Sequence, residues 1–137
     1  MKNEHLQKST IFPLGHKVMQ FFTGDAYLQM IFTDSTPLNT SIGNVTFAPG
    51  ARNNWHAHKS GQVLLVTGGE GWYQEDGKPA QFLKTGDVVN IAPHVKHWHG
   101  ATKDSWFVHL AMTPGETEWL EPVDDETYNT LETETNA

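Results

Sequence analysis

The sequence predicts an all-β fold, a small barrel or double-sheet jelly roll, with one short helix near the C-terminus. Two observations point there. Short apolar and β-branched runs recur along most of the chain, separated by Gly, Asp and Pro. Within them side chains alternate with a period of two: Trp106, Val108 and Leu110 fall on one face, and Phe107, His109 and Ala111 on the other.

In chain order, strands are expected over 27–33, 42–48, 55–58, 62–67, 71–75, 79–84, 88–91, 97–101 and 106–112. In the second run Val45 and Phe47 alternate with Asn44, Thr46 and Ala48, as a strand with one face on a core requires. Thr67-Gly68-Gly69-Glu70-Gly71 and Glu75-Asp76-Gly77-Lys78 read as hairpin turns, because Gly reaches positive φ without steric cost. Thr85-Gly86-Asp87 marks another tight corner. The late helix takes Asp124 or Asp125 as N-cap and continues over 127–131. The chain thus divides into an N-terminal arm (1–16) able to pair with a neighbouring subunit, a barrel (17–122), and a short helix with an acidic tail (123–137).

A length of 137 residues allows one domain with a real core. No apolar run approaches the roughly 18 residues that span a bilayer, and residues 1–8 lack the apolar stretch of a secretory signal. Cysteine is absent, which excludes disulfides and thiolate chemistry and suits a cytoplasmic location. The net charge of −7 arises mostly in the tail, since no Lys or Arg follows Lys103. Without a basic stripe, nucleic acid and anionic membranes are poor partners.

Chemistry is concentrated in a few side chains. His56 and His58, one residue apart on a strand, project from one face about 6–7 Å apart at Cα. Gln62 follows Lys59-Ser60-Gly61, where a bend returns its amide to the same side, and His97 arrives from a distant strand. Imidazole nitrogens and one amide oxygen suit Mn, Fe, Ni, Cu or Zn better than Ca or Mg. The plainer alternatives are a surface role for His58 and an amide that merely orients a histidine for Gln62. A neutral ligand set of this kind leaves a divalent ion its full charge, which strengthens its pull on a bound oxygen.

His99, two residues from His97, shares its face and is a candidate general acid or base, against a core histidine bonded to backbone. His94 follows Pro93 in a turn and should be exposed, while His5 and His16 carry no signal. Phe47, Trp55, Trp72, Trp98, Trp106 and Phe107 could line an apolar pocket, though ordinary core packing accounts for most of them. Arg52 could bind a carboxylate or close a salt bridge at the barrel rim. No P-loop, GxSxG, HExxH or dinucleotide fingerprint is present.

The spacing Gly50-x5-His56-x-His58-x3-Gln62-x6-Gly69, then Gly86-x10-His97, resembles the two-part motif of the cupins. The resemblance implies a jelly-roll β-barrel, the cupin double-stranded β-helix. His56, His58 and His97 match its three ligand histidines, and Gln62 falls where most cupins have Glu. His94 stands where Gly is usual, Ala92 where Pro is common and Ala101 where Asn is often found. The stretches Thr46-Phe47-Ala48-Pro49-Gly50-Ala51-Arg52, Trp55-His56-Ala57-His58, Gly86-Asp87-Val88-Val89, His97-Trp98-His99-Gly100-Ala101 and His109-Leu110-Ala111 resemble small single-domain bacterial cupins, among them the manganese-dependent hydroxynitrile lyases.

That resemblance covers residues 17–128. It implies Mn as the ion, with Fe, Zn or Ni compatible. It also implies a role for His109 in proton transfer or polarisation, and a homodimer or larger homo-oligomer that covers the barrel's edge strands. The expected function is a metal-dependent lyase or proton-transfer enzyme acting on a small hydroxy or carbonyl compound. Oxygen-dependent oxidation by the same ion and non-catalytic binding of a small ligand are the alternatives. His99 and His109 buried away from the ion would favour the last.

Overall fold

The computed structural model describes residues 11–33 and 37–131. Residues 1–10 of the expected arm and 132–137 of the acidic tail lie outside them. Among the described residues the chain forms β1 (His16–Lys17), β2 (Phe22–Thr23), β3 (Ala26–Phe32), β4 (Ser41–Phe47), β5 (Arg52–Asn53) and β6 (His56–His58). It continues with β7 (Gln62–Glu75), β8 (Gln81–Lys84), β9 (Val88–Ile91), β10 (His97–Ala101), β11 (Phe107–Thr113), β12 (Thr117–Trp119) and a helix, α1 (Asp125–Asn129).

All the strand pairs are antiparallel. One layer runs β1-β3-β4-β11-β7-β9, and the other runs β8-β7-β10-β5-β2, with β6 joining β10 to β12. Side chains that alternate inward from both layers form the core: Val45 and Phe47 from β4, Leu64, Val66 and Tyr73 from β7, Phe107 and Ala111 from β11. As the alternation in β11 requires, Val108 points the other way and packs with Leu14, Tyr27 and Trp106. The fold is the expected antiparallel jelly roll with a short C-terminal helix.

The Gly-rich run is the main departure. Thr67-Gly68-Gly69-Glu70-Gly71 is no hairpin turn but the middle of β7, a single strand that pairs β11 and β9 through its first half and β10 and β8 through its second. Here glycine permits close approach. A Cβ on Gly69, at φ +70°, would lie 1.7 Å from the Trp106 carbonyl oxygen, and one on Gly71 would lie 2.5 Å from the Gly100 carbonyl oxygen and the Phe107 ring. Val108 pairs Gly68 while His109 pairs Val66, so Thr67 is an extra, bulged residue beside His109. The other two expected turns form, with Lys78 N–H donating to Glu75 O and Asp87 N–H to Lys84 O.

β1, β2, β5 and β12 span two or three residues each, too short to show a period in sequence. Of the two expected N-caps Asp124 is the one observed, accepting from the Thr127 N–H at 2.7 Å, and the helix ends at Asn129, two residues short of the expected 131. Buried Arg52 holds it down: Nε and Nη2 donate to the Val123 carbonyl at 3.2 and 2.8 Å, and the guanidinium lies 4.4 Å over the Tyr128 ring. Of the two roles open to Arg52, the structural one is observed; Nη2 also pairs with Asp125 at 2.8 Å.

Candidate metal centre

β6 turns His56 and His58 to one side, with ring centroids 4.9 Å apart. In the β10–β6 pair His97 stands directly opposite His56, and its ring lies 4.2 Å from His56 and 5.2 Å from His58. Gly61, at φ +84°, makes the bend that brings Gln62 to the head of β7 beside them. All four side chains are buried.

Their hydrogen bonds select the ion-binding form. The Nδ1–H groups of His56 and His97 donate to the carbonyls of Asn54 and Val95 at 2.7 and 2.9 Å. A carbonyl can only accept, so these rings carry their proton on Nδ1 and present a lone pair at Nε2. His58 Nδ1 sits 2.9 Å from Thr117 Oγ1, and Gln62 Nε2 donates to Thr113 Oγ1 at 2.8 Å. The opposite atoms, His58 Nε2, Gln62 Oε1 and His97 Nε2, are buried without a hydrogen-bond partner. Orphaned buried acceptors are costly, and a cation that they share removes the cost.

Electrostatics agree. Burial pushes the His58 imidazolium down to about 4, with repulsion from His97 adding to it and Gln62 opposing. Burial likewise lowers His97, and lowers His56 well below the ordinary imidazole value with His97 adding. Neutral imidazoles are the form that binds a metal.

His99 and His109 lie deeper. His99 Nδ1 is 3.0 Å from His109 Nε2, and both residues are buried. Asn53 Oδ1 accepts the His99 backbone N–H at 2.9 Å, which turns its Nδ2–H group onto the His99 ring nitrogens at 3.2 and 3.3 Å. Burial holds His109 down to about 3 and His99 well below its ordinary value, with His109 adding to the effect on His99.

The nitrogens of His56, His97 and His99 lie within 4.8 Å of one another, a tighter group than one containing His58. Proximity and availability therefore point to different third histidines. Availability decides between them: both His99 nitrogens already face Asn53 or His109, whereas Nε2 of His58 has no hydrogen-bond partner.

A cavity of about 270 Å³ opens onto the cluster. His56, His58, Gln62, His99 and His109 line its polar end; Phe22, Leu28, Met30, Val45, Ala111 and Trp119 form much of its apolar wall. Among the described residues no Lys, Arg, Asp or Glu lines it. None of the six aromatic residues singled out in sequence is in the wall. Phe47 and Phe107 pack beneath the histidines, Trp55, Trp72 and Trp98 lie under α1, and Trp106 packs on the outer face. The wall residues Phe22 and Trp119, and also Thr113 and Thr117, escaped the sequence reading because they belong to no motif, and Asn53, inside the Gly50-x5-His56 spacing, because its partner His99 lies on another strand. His94 is exposed and holds φ +67°, the left-handed region.

Residues 43–117 match the family described as Cupin domain. The chain is 40% identical over 112 residues to the (R)-mandelonitrile lyase of Granulicella tundricola, which spans 79% of this chain and 86% of that protein. It is also similar to a crystal structure of a cupin-like protein from Thermotoga maritima, at 48% identity and a TM-score of 0.85, covering 90% of this chain and 97% of the other. A cupin-2 domain protein of Rhodospirillum rubrum shares the fold at 18% identity and a TM-score of 0.65, covering 86% of this chain and 78% of its own. Fold, histidine spacing and family match converge: the chain belongs to the cupin family.

Proposed function

We propose that the protein is a metal-dependent lyase that cleaves small neutral hydroxynitriles to a carbonyl compound and hydrogen cyanide. The observation that carries this reading is three buried, unpartnered acceptor atoms, on His58, Gln62 and His97, in a cluster beside a largely apolar cavity that no charged side chain lines among the described residues. Similarity to a mandelonitrile lyase supports the substrate class. Among the described residues the lining holds no Lys or Arg, which favours an uncharged substrate over a carboxylate.

In this reading His56, His58, Gln62 and His97 hold a divalent ion, Mn foremost, with Fe, Zn or Ni compatible. When bound, the ion supplies Lewis acidity that polarises the substrate oxygen. The apolar wall seats the organic substituent and excludes water. His99 and His109, held neutral by burial, would take the hydroxyl proton at His99 Nε2 once the substrate hydroxyl replaces its 3.2 Å contact with Asn53, with His109 Nε2 behind it at 3.0 Å from Nδ1. As that proton leaves, the carbon–carbon bond to the nitrile breaks, its electron pair departs with cyanide and the carbonyl forms. The same pair returns the proton to cyanide, so atoms and charge balance. The two histidines line the cavity next to the cluster rather than being packed away from it, which favours catalysis over simple ligand binding.

Benzaldehyde release from mandelonitrile tests the reading. Mn-loaded protein should give a rate that a chelator abolishes and Mn(II) restores, with no oxygen uptake. A metal-independent background rate alone removes the substrate class, and oxygen consumption during turnover transfers the site to oxidation.

A further inference from the structure

The four proposed ligands are held in two unlike ways. His56 and His97 are fixed by main-chain carbonyls, which no side-chain substitution removes. His58 and Gln62 are fixed by hydroxyls, and both hydroxyls come from one short stretch: Thr113 ends β11 and Thr117 begins β12.

That stretch is itself well anchored. Thr113 O accepts from Ser41 Oγ at 2.9 Å, Glu116 O accepts from the Lys59 N–H at 3.0 Å, and Thr117 pairs His58 in the β12–β6 register. Between the threonines Gly115 adopts φ +85°, where an added Cβ would meet Ser60 Oγ at 2.9 Å. The two hydroxyls are therefore presented by a rigid turn. Each sits on the side of its partner opposite the orphaned atom: Gln62 Nε2 against Oε1, and His58 Nδ1 against Nε2.

We propose that Thr113 and Thr117 are the positioning residues of the metal centre, a two-hydroxyl clamp that aims the Gln62 oxygen and the His58 Nε2 lone pair at the ion. The inference rests on the metal-centre reading above. Its physical content lies in the hydroxyls. Gln62 can flip its amide, His58 can carry its proton on either nitrogen and a hydroxyl can donate or accept, so the threonines fix where the two side chains sit while the ion would select which atom of each faces it. With His58 holding an ion through Nε2, its ring proton would sit on Nδ1, where Thr117 Oγ1, 2.9 Å away, would accept it. Thr113 accepts from the Gln62 amide and leaves Oε1 free. Outer partners of this kind typically change metal affinity by about 10–100-fold.

Titration of metal-free protein with Mn(II), following the EPR signal of the unbound ion, tests this without recourse to turnover. Thr113→Val and Thr117→Val keep the shape and delete the hydroxyl, and each is expected to weaken Mn(II) binding by about 10–100-fold. Thr113→Ser and Thr117→Ser keep the hydroxyl and should bind close to the parent. If a valine variant fails to fold, the alanine variant deletes the same hydroxyl with less bulk and carries the same expectation. A valine or alanine variant that binds as tightly as the parent removes that threonine from the role, provided His97→Ala has lost the ion. A parent that takes up no Mn(II), or a His97→Ala variant that binds as well as the parent, overturns the metal centre and the clamp with it.

Discussion

Gln62 is the residue whose chemistry matters most to the proposed centre. Its amide is buried, its oxygen has no partner, and among the described residues no carboxylate lines the cavity to compensate a divalent charge. Gln62→Glu would place one negative charge beside the ion. Mn(II) should then bind on the order of tenfold tighter, while cleavage of mandelonitrile slows because the substrate oxygen feels a weaker pull. Isothermal titration reads the first effect and steady-state rates the second; unchanged affinity would remove Gln62 from the ligand set. At this level the sequence located the cluster in part: His56 and His58 share a face through their spacing on one strand, whereas His97 joins them only by the pairing of β10 with β6. It was silent about Asn53, Thr113 and Thr117, whose roles come from register across strands: Asn53 meets His99 only because β5 lies beside β10, and Thr117 meets His58 only because β12 pairs β6.

Among the elements, β7 and α1 show where local reading succeeds and fails. Three glycines in five residues are a strong turn signal, yet the strand runs through them because Gly69 and Gly71 serve close packing against β10 and β11. Crowding of that kind is invisible to a local pattern. The acidic N-cap of α1 was legible, whereas its anchor, Arg52, lies 73 residues away from Asp125 in the chain. Magnitudes separate the bonds that Arg52 makes. Asp125 keeps 85% of its side chain in solvent, so Asp125→Ala should cost less than about 1 kcal/mol. Arg52→Met deletes two bonds from a charged donor to the buried Val123 carbonyl and should cost about 1.5–3 kcal/mol or more. Urea midpoints of the two variants check the order; equal losses would mean that the surface ion pair holds the helix.

The whole molecule carries a cluster of buried neutral histidines between its two layers, and this makes the fold acid-sensitive. His109 is held down to about 3 by burial, against an ordinary value of 6.5. Between those limits the unfolded chain binds the proton and the folded chain does not, so stability falls as pH drops from about 6.5 towards 3. Each such group contributes up to about 1.4 kcal/mol per pH unit within its window. Urea midpoints of metal-free protein should therefore decline across this range and flatten above about pH 7; a flat profile from 7 to 4 contradicts the buried neutral cluster.

The overall architecture was readable from alternation and turn residues, but the cavity was not. Its wall joins Phe22, Leu28 and Trp119, which meet only after the chain has folded end to end, and Phe21 stacks on Trp119 at 4.8 Å to cap one side. Among the described residues no helix is long and apolar enough to cross a membrane.

The central claim is that His56, His58, Gln62 and His97 share one cation. Anomalous diffraction at the manganese edge, from crystals grown with Mn(II), addresses it without reference to any reaction. The account predicts a single strong peak in bonding contact with Nε2 of the three histidines and Oε1 of Gln62, its open positions facing the cavity. No peak, or one bound by His56, His97 and His99 with His58 and Gln62 turned away, contradicts it.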